Sequence, residues 1–73
     1  MNKLQLLRYL HDTERKAGLL SWHIKTILGD LEVFKMTSDR QEYWLERVRQ
    51  EKADLIVFNE EIRIIKEQLE SVK

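Results

Sequence analysis

Residues 34–41 read Phe34-Lys35-Met36-Thr37-Ser38-Asp39-Arg40-Gln41, and they interrupt a helical pattern that is otherwise continuous. Ser38-Asp39-Arg40-Gln41 has the form of a capping box, in which Ser38 caps a new helix and Gln41 reaches back to the cap amide. Asp39 and Glu42 in the first turn suit the positive end of a helix dipole. Met36-Thr37-Ser38 is therefore expected to be a turn.

Outward from that turn the apolar spacing alternates between three and four residues in both directions. On the N-terminal side the stripe is Leu6, Leu10, Thr13, Ala17, Leu20, Ile24, Ile27, Leu31 and Phe34. On the C-terminal side it is Gln41, Trp44, Val48, Glu51, Leu55, Phe58, Ile62, Ile65, Leu69 and Val72. Such spacing gathers each set on one face of a helix and requires another helix to cover it. Two rods joined by a tight turn lie antiparallel. The expected fold is all-α: one coiled-coil-like hairpin domain over 1–73, with a helix over about 3–35, a turn at 36–38 and a helix over about 39–72. It is expected to dimerise into a four-helix bundle. Arg15-Lys16-Ala17-Gly18 also has the form of a helix C-terminus, so a three-helix arrangement broken near Gly18 is the alternative. Against it, the heptad passes Gly18 and Gly29 with no change of phase.

An antiparallel pairing about Thr37 puts residues whose numbers sum to about 74 at one level. Phe58 then faces Ala17 and Thr13, large against small, and Trp44 falls beside Ile27 and Leu31. His23 falls level with Glu51, with Lys25 and Arg47 nearby. A carboxylate on a seam costs stability unless it is paired, and polar seam residues serve best as register markers.

Composition narrows the function. Seventy-three residues make one small domain. With no cysteine, disulfides, thiolate metal sites and a cysteine nucleophile are excluded. Thirteen basic and thirteen acidic side chains cancel, which removes the usual electrostatic footprint of a nucleic-acid binder. The first residues carry no sustained apolar run, so neither a leader nor a membrane anchor is expected and the cytoplasm is the expected location. His11 and His23 are twelve positions apart, and Arg8 and Leu20 stand where a Glu-x-x-His metal motif needs glutamate. No nucleophile with a base and no glycine-rich phosphate loop is visible, so neither an enzyme nor a cofactor is expected.

The informative residue set lies off the stripes. Leu19, Trp22, Ile56 and Val57 are apolar, sit near the middle of the hairpin, and form the expected partner-binding patch. The expected function is a small protein–protein interaction module (an adaptor, assembly factor or inhibitor), binding itself as a homodimer and another protein. The alternative is a nucleic-acid-binding hairpin dimer using Arg40, Arg47, Arg49 and Lys52, with Tyr43 and Trp44 interleaved. Glu42, Glu46 and Glu51 stand among those bases at spacings that favour pairing within the helix.

Overall fold

The computed structural model of the chain describes residues 2–72, so Met1 and Lys73 of the expected domain lie outside the described residues. Two helices are present, α1 (Lys3–Val33) and α2 (Ser38–Ser71). A capping box opens α1. The Asn2 side chain accepts the Gln5 N–H at 2.8 Å, and the Gln5 side chain accepts the Asn2 N–H at 3.1 Å.

The turn differs from expectation by one or two residues. α1 stops at Val33 rather than near Lys35, because Phe34 is extended (φ −98°, ψ 135°) while its N–H still bonds the Asp30 carbonyl at 2.8 Å. Thr37, not Ser38, caps α2. Its backbone is extended (φ −64°, ψ 157°), its carbonyl accepts the Gln41 N–H at 3.0 Å, and its hydroxyl accepts the Arg40 N–H at 3.4 Å. Ser38 is thereby the first helical residue, and the Ser38–Gln41 capping box does not form. Both residues carry a capping hydroxyl, and the cap falls on Thr37 because the backbone becomes helical at Ser38.

α1 runs unbroken through Gly18 and Gly29, so the three-helix alternative with a break at Gly18 does not form. A Cβ added at either glycine meets no atom within 4 Å outside the helix's own backbone. Gly18→Ala and Gly29→Ala are each expected to stabilise the chain by about 1 kcal/mol, through helix propensity alone. Urea unfolding followed by helical circular dichroism checks this; a lowered midpoint would mean that something covers the glycine backbone.

Among the described residues, every buried one lies on one of the two stripes: Leu6, Leu10, Thr13, Ala17, Ile24 and Ile27 on α1, and Val48, Glu51 and Ile65 on α2. They form two apolar clusters. Leu6, Leu10 and Ile65 pack near the open end with Ile62 and Leu69. Ile24, Ile27 and Val48 pack nearer the turn with Leu20, Leu31, Trp44 and Leu55, which puts Trp44 in the cluster expected for it. Between the clusters Thr13 and Ala17 are buried, the Thr13 hydroxyl donating to the Tyr9 carbonyl at 2.8 Å. Phe58 is only half-buried and belongs to neither cluster. The hairpin is a rod of 55 × 15 × 13 Å. Among the described residues, no helix is long and apolar enough to cross a membrane.

Candidate interaction surface

Among the described residues, a single charged group is buried in the seam. Glu51 is buried, and its Oε1 lies 2.7 Å from Nδ1 of His23 across the hairpin and 3.5 Å from Nε of Arg47 one turn back. An ionised carboxylate only accepts, so Nδ1 of His23 carries the proton in that bond. The expected level of His23 and Glu51 is thus met at hydrogen-bonding distance. Lys25 takes no part, being exposed and, among the described residues, outside any ion pair. The second carboxylate oxygen, Oε2, is buried with no hydrogen-bond partner.

The same flank carries a second cross-helix bond, from the Tyr9 hydroxyl to the Glu61 carboxylate at 3.4 Å. With the seam residues as heptad positions a and d, the residues Tyr9, His23, Arg47 and Glu61 all occupy position g. Position c borders g further out, while e and b make up the opposite flank. Of the expected partner-binding residues, Leu19 and Val57 occupy c and so share the Tyr9–Glu61 flank. Ile56 occupies b on the other flank, and Trp22 lies at f on the back of α1. All four are exposed: Leu19 59%, Trp22 65%, Ile56 69% and Val57 55%. The hairpin leaves them all to solvent but does not gather them on one flank.

The basic set is also dispersed. Arg47 is engaged with Glu51, and Arg49 pairs with Glu46 at 3.1 Å one turn away. Arg40 borders a groove of about 510 Å³ with Asp39, Tyr43 and Trp44, where the two aromatic rings meet edge to face at 5.1 Å. Lys52 is exposed. Farther along α2, Arg63 bonds both Glu60 and Glu67, and its hydrogen bond to Glu60 holds that carboxyl below its ordinary pKa. These are solvated pairs along one helix, each worth little.

Tyr9, Tyr43 and Ile64 lie outside the expected partner-binding set of Leu19, Trp22, Ile56 and Val57. They stand exposed on the same flank as Leu19 and Val57, and Tyr9, Ile64 and Glu61 line a second groove of about 210 Å³. The signal that finds them is the residue type at positions g and c, legible once the flank is fixed by the Tyr9–Glu61 and His23–Glu51 contacts. Among the described residues, no group of three or more His, Cys, Asp or Glu side chains is placed to hold a metal ion. Comparison with protein-family models, curated proteins and solved structures gives no match.

Proposed function

We propose that the chain is a small non-enzymatic protein–protein interaction module. It acts through apolar helix surface, associates with itself as a four-helix bundle and engages a further protein as an adaptor, assembly factor or inhibitor. The observation behind this reading is the exposure of Trp22, Leu19, Ile56 and Val57 on a two-helix rod whose seam cannot take them in. A few large apolar side chains displayed this way are what helix-on-helix recognition needs, and tryptophan is among the residues that dominate binding energy at interfaces. The cytoplasm is the compartment proposed for it.

The test is a pull-down from the native host with wild-type and Trp22→Glu baits, each with and without nuclease. The expected result is a defined protein held by the wild-type bait and lost from the Trp22→Glu bait. Nuclease-sensitive capture would transfer the reading to nucleic acid and to Arg40 and Lys52. With the captured partner purified, Trp22→Ala is expected to weaken its binding at least tenfold, about 1.4 kcal/mol, with helicity unchanged. A Trp22→Ala variant that unfolds would make Trp22 structural and move the binding face elsewhere.

A further inference from the structure

The two flanks of the hairpin differ in what they would put into an interface, chiefly in large exposed apolar residues. Ten residues of the two helices occupy position c and ten occupy position b. Only Asp12 is charged at c, against Lys25, Glu32, Glu42, Arg49, Arg63 and Glu70 at b. At c, Leu19, Val33, Tyr43, Val57 and Ile64 are large, apolar and exposed; at b only Leu4 and Ile56 are. Covering the g and c flank therefore removes six large exposed apolar groups from water, Tyr9 at g included, and covers seven charged residues, Asp12 at c and six at g. Covering the e and b flank would cover nine charged residues, Glu14, Lys52 and Lys66 at e included, for three large exposed apolar groups, Leu4, Leu45 and Ile56, and burying charge is costly. The g residues lie between c and the seam, inside that face, and carry both signs in equal number, with Lys16, Arg40 and Arg47 beside Asp30, Asp54 and Glu61, so two copies can set opposite charges against each other there.

What covers this flank follows from how little the hairpin buries alone. Seven apolar residues make up its core, and no described side chain is fully buried. Its accessible surface is 6025 Å² at 8.9 kDa, where a compact monomer of that mass exposes about 4,800 Å². The excess is about 1,200 Å² per chain. Two chains covering it would bury about 2,400 Å² in total, within the range of obligate homodimers. A cover needed for stability has to be present wherever the chain folds, and another copy of the chain always is.

We infer that the flank of Leu19, Tyr43, Val57 and Ile64 is the face on which a second copy of this chain docks, leaving Trp22 and Ile56 outside the dimer. The inference rests on the interaction-module reading and specifies its self-association. The 73-residue chain is studied by sedimentation equilibrium from 1 to 100 μM as wild type, Val57→Lys and Ile56→Lys. The wild type is expected to be dimeric, Val57→Lys to weaken the dimer at least tenfold, and Ile56→Lys to leave it unchanged. Because Val57→Lys can lose its fold along with its partner, a gentler pair is run beside it. The chain has no cysteine of its own, so Val57→Cys and Ile56→Cys each carry one thiol for a maleimide reagent. Protection that grows with protein concentration is expected at position 57 and not at 56. The reverse pattern would overturn the choice of flank while leaving self-association standing. A folded wild-type monomer across the whole range would overturn the second copy as occupant. The Trp22 pull-down separately decides whether the chain binds other proteins at all.

Discussion

Ile24→Ala is expected to cost about 2–5 kcal/mol of stability, the range for truncating a buried isoleucine. Ile24 is 6% exposed, and it packs with Ile27 and Val48 in the cluster nearer the turn, ringed by Leu20, Leu31, Trp44 and Leu55. Because the residues around it belong to two stiff helices pinned at the turn, the hole has little means of closing. Domain stabilities lie around 5–15 kcal/mol, and a two-helix rod with seven buried apolar residues belongs at the low end. The loss is therefore a large share of the total. Urea midpoints at one fixed protein concentration measure it, since association adds to apparent stability. Ile56→Ala, on the exposed outer surface, is the control and is expected to stay within about 0.5 kcal/mol. If the two variants melted alike, the stripe through Ile24 would not be the core. Phe58→Ala is expected to cost less than Ile24→Ala, because Phe58 is half-buried and stands outside both clusters.

How far the sequence carries can be judged from particular residues. The stripe of alternating three- and four-residue steps predicts the seam, and all the buried residues, including the polar Thr13 and Glu51, fall on it. That pattern is strong because a helix of 3.6 residues per turn offers only one face to such spacing. The cross-hairpin level of His23 and Glu51 followed from the turn position alone. The ends were less legible. Ser38 and Thr37 both have capping side chains, and which one caps is decided by backbone conformation, not by residue type. Phe34, Gln41 and Val72 continue the stripe yet are exposed, since they lie where the opposing helix is ending. The binding surface was legible as a set of apolar residues and not as a face. Leu19 and Ile56 look alike in the sequence, and they separate only when cross-helix contacts show which flank holds position g. Phe58 shows the remaining limit: a single facing helix covers a large ring only in part, whatever small residues stand opposite.

Glu51→Leu is expected to stabilise the chain, by about 1–4 kcal/mol, the gain seen when buried ionic groups give way to apolar ones. The wild-type carboxylate is 7% exposed and satisfied on one side only, Oε1 meeting His23 and Arg47 while Oε2 has no partner. An unpaired buried polar atom carries a desolvation penalty of about 1–3 kcal/mol. Removing one member of a buried ion pair normally strands the other, but that cost is small here. The side chains of His23 and Arg47 are 40% and 49% exposed and can return to water. Leucine also suits a d position between Val48 and Leu55. The gain is expected to come with a loss of uniqueness. Glu51 is the only charged residue buried in the seam among the described residues, and its bond to His23 forms only when the helices are aligned at that level. With leucine there, a register slip breaks only the exposed Tyr9–Glu61 bond between the helices and re-forms the turn, with no buried carboxylate to strand. The variant is therefore expected to unfold at higher urea and yet give more than one amide resonance for residues such as Val48, or larger assemblies in sedimentation. A destabilised Glu51→Leu variant with a single set of resonances would overturn this, and would make the His23–Glu51–Arg47 group a net source of stability.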